Sequence, residues 1–228
     1  MSSKCGPDIN ENGLVLHLDA ANNKSYPGSG TTWTDLSGND NNGTLTNGPT
    51  FNASNMGSIA LDGTNDYIYR SSLSNFNSST YTVLLWAKFN SMSTYGILFS
   101  LGRSASDAVT EAQLQQANSR LVYWDYDSSM GFNFIQSAGT LSTNVYQYLG
   151  FTKNSTNGTF YIDGYSSGTG TAALNASIST NDFTIGADIR DSISYVNGNI
   201  SQFLIYNRVL TAAEVLQNYN ATKSRFGR

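Results

Sequence analysis

Ile59-Ala-Leu-Asp-Gly-Thr-Asn-Asp-Tyr-Ile-Tyr-Arg70 sets an apolar run before an apolar-aromatic run, with Asp62, Gly63, Thr64, Asn65 and Asp66 between them. The middle residues accept positive φ or bond their own backbone, and the flanks favour extended chain. That spacing predicts a β-hairpin. Two carboxylates and an amide in one turn are also the raw material of an oxygen-rich cation site. The stretch therefore raises the questions of fold and of ligand together.

The same pattern recurs outward in both directions. Leu14–Asp19 reads as a strand that is apolar on both faces apart from His17. Residues 20–50 form a long turn-rich loop that Tyr26, Trp33 and Leu36 can pin to a core. In Tyr81–Phe89, Val83, Leu85, Ala87 and Phe89 fall on one face and Leu84 and Trp86 on the other, which places this strand inside a sheet covered on both sides. Further strands are expected at Gly96–Leu101, Arg120–Asp125, Phe132–Gln136, Tyr146–Lys153, Thr159–Ile162, Phe183–Ala187 and Asn199–Tyr206, with Asp163-Gly164 as a two-residue turn. Residues 104–118 have helical composition but sit between strands, and read as a long loop with at most one turn of helix. One helix is clear: Thr211-Ala-Ala-Glu214 is a capping box, and Val215, Leu216 and Tyr219 follow on one face. Strands with regular turn signals and no linker describe a single all-β sandwich.

Composition agrees. Of the 228 residues only 12% are charged, against about 25% in ordinary soluble domains. Asn, Ser, Thr and Gly supply the polarity instead, which suits short strands and tight turns. With a net charge of -4 and no basic cluster, nucleic-acid binding is set aside, because it needs cations to displace counterions from phosphate. No apolar run approaches the ~20 residues of a membrane span, and the N-terminus lacks an apolar signal region, so synthesis in a cytoplasm is expected. Cys5 is the only cysteine and reads as an incidental thiol; His17, the only histidine, reads as structural.

With the segments placed, Leu16-His-Leu-Asp-Ala20, Trp33-Thr-Asp-Leu-Ser-Gly-Asn39, Leu61-Asp-Gly-Thr-Asn-Asp-Tyr-Ile68, Phe160-Tyr-Ile-Asp-Gly164 and Gly198-Asn-Ile-Ser-Gln-Phe-Leu-Ile-Tyr-Asn-Arg-Val-Leu-Thr-Ala-Ala-Glu214 carry a resemblance. The chain resembles a laminin-G-like domain of the concanavalin A-like lectin/glucanase superfamily. That implies a jelly-roll β-sandwich of two antiparallel sheets with one short C-terminal helix, and binding sites in loops at the sheet rim. The expected organisation is an N-terminal arm over residues 1–12 that docks on a partner, a domain over 13–222 and a tail over 223–228. A narrower likeness, in Gly13–Asn22, Tyr26–Trp33 and Asn218–Gly227, is to short stand-alone proteins of tailed bacteriophages. It implies a non-enzymatic virion structural protein, on the capsid or tail surface, that binds other virion proteins and host glycans. A homo-oligomer, a trimer among the options, would follow from particle symmetry. The alternative is a carbohydrate-binding, lectin-like adhesion module, and a glycoside hydrolase ranks third.

Retaining glycoside hydrolysis needs two carboxyls about 5–5.5 Å apart. Of the three glutamates, Glu214 serves the cap, Glu11 lies near the terminus and Glu111 has no acidic neighbour. Asp125 and Asp127 are the best remaining pair and read as a strand running into a turn, so no enzyme is expected. One structural calcium ion is the candidate cofactor, with Asp62, Asn65 and Asp66 as local ligands and Asp19 and Asp35 as contributors; turn-forming side chains satisfying backbone N–H groups compete with that reading. For sugar binding, Tyr95, Tyr123, Trp124, Tyr126 and Tyr195 lie at strand ends or loops where a ring can be exposed.

Overall fold

Alternating side chains become two stacked sheets in a computed structural model that describes residues 8–76, 79–92, 96–101, 110–127, 131–171, 182–188 and 194–228, with backbone alone in the strands at 110–116, 125–127 and 131–133. The strands are β1 (Leu14–Asp19), β2 (Thr32–Trp33), β3 (Gly43–Thr46), β4 (Thr50–Asn52), β5 (Ser58–Asp62), β6 (Tyr67–Arg70), β7 (Thr80–Phe89) and β8 (Gly96–Leu101). They continue with β9 (Thr110–Ala117), β10 (Arg120–Asp127), β11 (Gly131–Gln136), β12 (Gln147–Asn154), β13 (Asn157–Ile162), β14 (Tyr165–Thr171), β15 (Phe183–Ile185) and β16 (Asn197–Tyr206), and helix α1 spans Ala212–Thr222. One sheet runs β14-β13-β12-β7-β16-β5-β4, with β1 also paired to β16; the other runs β11-β10-β9-β8-β15-β6-β3-β2.

Strand β7 is as its pattern predicts. Val83, Leu85, Ala87 and Phe89 join the core between the sheets, together with Leu149, Phe151, Phe160 and Phe203 from the same sheet and Leu101, Leu121, Tyr123, Phe183 and Ile185 from the other. Leu84 and Trp86 point outward into a second cluster with Tyr148, Leu204, Tyr206, Val215 and Tyr219. That cluster exists because α1 lies across the outer face of this sheet. Its start is the capping box read from the sequence, with Thr211 accepting from the Glu214 N–H and Glu214 accepting from the Thr211 N–H. The last residues are not a free tail. A 3-10 turn at Lys223–Phe226 brings the Phe226 ring within 4.2 Å of Trp86. Residues 8–12 dock on their own domain, as the Tyr206 hydroxyl donates to the Asn10 carbonyl and the Asn10 N–H to Asn218.

Two expectations are corrected. The Ile59–Arg70 stretch is not a hairpin: β5 pairs with β16 and β4 in one sheet, while β6 pairs with β3 and β15 in the other. Both hydrogen-bonding edges of each strand are already taken, so the turn at 63–66 carries the chain across the sandwich instead of folding it back. Residues 110–117, expected as loop, form β9, an inner strand held between β8 and β10. Asn118 and Ser119, with φ of 50° and 59°, make the two-residue turn into β10. Positive φ at both positions matches the twist of a type I′ hairpin.

Candidate functional site

The outer face of the β2–β11 sheet holds the site. Ladder partners run in one unbroken row across all its strands: Phe134 opposite Trp124, Trp124 opposite Gln113, Gln113 opposite Ser100, Ser100 opposite Thr184, Thr184 opposite Tyr69, Tyr69 opposite Thr44 and Thr44 opposite Thr32. Their sequence neighbours Tyr123, Leu101, Phe183, Ile185, Ile68, Leu45 and Trp33 all point inward to the core, so the described members of the row point out. The row is polar and aromatic. Ser100 and Thr184, in its middle, are buried, whereas both ends are accessible.

The β10–β11 end combines a half-buried Trp124 with a Phe134 that is 67% exposed. Beside them, Val122 pairs with an exposed Gln136. A tight fit on the inner side holds Phe134 outward. Ile135 packs against the core, and a Cβ on Gly170 or Gly158 would meet it at 2.5 Å. These two glycines are empty space for Ile135. With Ile135 held inward, strand alternation turns Phe134 and Gln136 to solvent. An exposed phenylalanine in register with a tryptophan, next to an amide, suits an amphipathic ligand with one apolar flat side.

The expected sugar-binding residues are thus sorted by face. Trp124 lies on the open row. Tyr123, its neighbour, does not: it is 1% exposed, its ring stacks on Phe151 at 4.2 Å and its hydroxyl lies 3.0 Å from that of Tyr81. That ring is core and presents nothing to a ligand. Tyr195 is half-buried ahead of β16. The Tyr126 backbone pairs with Phe132 and Glu111, with its side chain outside the described residues, as are those of Asp125, Asp127 and Glu111; Tyr95 and Cys5 lie outside them altogether. Phe134 was missed. Its signal was present in Phe132 and Phe134, two positions apart in a strand that also offers Ile135 to the core.

Of the five candidate calcium ligands, Asp62, Asn65 and Asp66 share one hydrogen-bonded turn, and Asp19 and Asp35 are engaged elsewhere. The Asp62 carboxylate accepts from the N–H groups of Thr64 and Asn65, and the first of these bonds lowers its pKa. Asp66 accepts from the Asp62 N–H, and its burial raises its pKa. Asp19 faces Gln202 on β16, whereas Asp62 faces Asn197, roughly 16 Å further along the strand. Its carboxylate takes the Ala21 N–H and pairs with Arg225 at 3.0 Å. Asp35 is spent on four donors, the N–H groups of His17, Ser37 and Asn41 and the Ser37 hydroxyl. Among the described residues no group of three or more His, Cys, Asp and Glu side chains could hold a metal ion, and the carboxylates of the 62–66 turn accept from backbone N–H groups.

A laminin-G family model, described as concanavalin A-like lectin/glucanases superfamily, matches residues 62–216. The chain belongs to the concanavalin A-like lectin/glucanases superfamily. Solved structures with the same sandwich include the binding domain of Paraclostridial Mosquitocidal Protein 1, with TM-score 0.72, 18% identity, and coverage of 92% of this chain and 52% of that one. Domain 4 of a GH43 extracellular arabinanase from Geobacillus stearothermophilus, in complex with arabinotriose, aligns with TM-score 0.70 and 20% identity over 92% of this chain and 100% of its own. The receptor binding domain of botulinum neurotoxin type G gives 0.66 and 17% over 91% and 51%. This superfamily member therefore spans about half of the toxin domains and all of the arabinanase domain. No curated protein sequence matches it significantly.

Proposed function

We propose that this sandwich is a non-catalytic glycan-binding module that stacks sugar rings on Trp124 and Phe134. The observation that carries it is the pairing of an exposed Phe134 with Trp124 on a sheet face that no described helix covers. Sugar rings have an apolar face for such a platform and hydroxyls for flanking groups such as Gln136. The neighbours support the class: one, of matching length, was solved in complex with arabinotriose, and another is the receptor binding domain of a botulinum neurotoxin. They favour the carbohydrate-binding alternative over a virion component. The virion partners, virion oligomer and particle-surface location rest on the phage likeness alone.

A binding role also fits the glutamates. Glu214 is held by Arg208 and the helix cap, and two of the neighbours are binding domains. Titration with arabinotriose and a panel of oligosaccharides tests the reading. At least one glycan should bind, and Phe134→Ala should weaken it by about tenfold, or about 1.4 kcal/mol. Equal affinity in the variant would move the site elsewhere.

A further inference from the structure

A strand with a neighbour on one side only presents a row of unpaired N–H and C=O groups, and it pairs with another chain unless something blunts it. Among the described residues five strands are of this kind: β1, β2, β4, β11 and β14. Four of them are blunted. In β1 the His17 N–H donates to Asp35 and the His17 carbonyl accepts from the Leu36 N–H. β2 has two residues and β4 three, and Tyr26 packs on Phe51 of β4 with ring centroids 5.7 Å apart. In β14 the ladder to β13 slips between Thr159 and Tyr161, Gly168 sits at φ 109°, and the Ser167 carbonyl accepts from the Ala138 N–H.

β11 lacks every one of these devices. Its six residues keep register with β10 without a bulge, and no charged residue lies between Asp127 and Lys153. Phe134, in the strand, is 67% exposed. The Ser137 N–H donates to the Leu121 carbonyl, and bonded pairs alternate along an antiparallel ladder, so Ile135 and Asn133 turn their backbone groups to β10. Phe132, Phe134 and Gln136 turn theirs to the outer edge, where no described strand pairs with them. Charge decides which strand fits there. Each copy of the chain carries a net charge of -4, so two copies meet with least repulsion through an uncharged segment, and β11 is one. The strand is also its own complement. Antiparallel pairing about a two-fold axis at Phe134 sets Phe132 against the partner's Gln136 and makes about six backbone bonds. It also brings the two Phe134 side chains side by side on one face, with Cα atoms about 5.5 Å apart.

We infer that the chain pairs with a second copy of itself through β11, joining two eight-stranded sheets into one. The aromatic row then runs from Trp124 and Phe134 to the partner's Phe134 and the partner's Trp124, which doubles the platform. The pairing does not rest on the glycan reading. Its test is sedimentation of the full chain, without sugar, across the micromolar range, where a reversible monomer–dimer equilibrium is expected. Phe134→Lys and Phe134→Glu each set like charges opposite one another across the two-fold, and each should weaken association at least about tenfold. An equimolar mixture of the two variants should restore it, because Lys faces Glu only if residue 134 lies opposite itself. The position is exposed, so melting of both variants should stay cooperative. A native chain that stays monomeric, association that survives in both variants, or a mixture that remains monomeric would overturn the inference. A monomeric chain that still binds glycan would overturn this pairing and leave the platform standing.

Discussion

The outer faces of the two sheets begin with the same resource and end differently. Under α1, Trp86 lies 5.1 Å from Tyr148, 5.6 Å from Tyr219 and 4.2 Å from Phe226, and its indole N–H donates to Thr222. On the other sheet, Trp124 shares a ladder rung with an exposed Phe134. Trp33, the third tryptophan, is buried between the sheets. Three residues of one type thus do three jobs, and which job depends on what covers the face. An aromatic ring beneath a helix is consumed by stability; one as exposed as Phe134 remains for a ligand.

Trp86→Ala should have the largest effect on that contrast. It removes a ring contacted from three sides and the N–H donor to the Thr222 hydroxyl, so a loss of about 3–5 kcal/mol is expected in chemical denaturation. A loss below about 1 kcal/mol would mean that α1 is not held by this cluster. The helix start comes next. Arg208 bonding, aided by the Thr211 cap, holds the Glu214 carboxyl down at about 2, from an ordinary value of 4.5. A lowered carboxyl pKa contributes stability that is full above the ordinary value and is lost as pH falls towards the folded one. Glu214→Ala should therefore cost about 1–2 kcal/mol at neutral pH and flatten the decline in stability between 4.5 and about 2. A cost that persists unchanged in acid would assign the loss to packing. Calcium should have the smallest effect. Because backbone N–H groups already occupy Asp62 and Asp66, melting in calcium and in chelator should coincide; a clear upward shift with calcium would restore the turn as an ion site.

What could be read in advance follows from how far each signal reaches. The two faces of β7, the Asp163-Gly164 turn and the capping box are set by residues within a few positions of one another, and all three are found as read. The fate of Asp62–Asp66 depends on which strands take the edges of β5 and β6, and two of those four partners, β16 and β15, lie more than a hundred residues away. Local pattern cannot choose between a hairpin and a crossover there. Similarly, Glu111-Ala-Gln-Leu-Gln-Gln is helical by propensity, and pairing on both sides makes it a strand. Tyr123 and Trp124 illustrate the finest limit: a shift of one position exchanges core for surface, so a list of aromatics names the region but not the ring. The phage likeness lies in loops and termini and says nothing about this face.

The open face is tested most directly by comparing Trp124→Ala with the native chain in the same glycan titration, with melting followed in parallel. Affinity should fall by about tenfold or more while the midpoint changes little, because this ring sits on the outer face and contributes little to the core. Unchanged affinity in a folded variant would contradict the assignment of the glycan site to the outer face of the β2–β11 sheet.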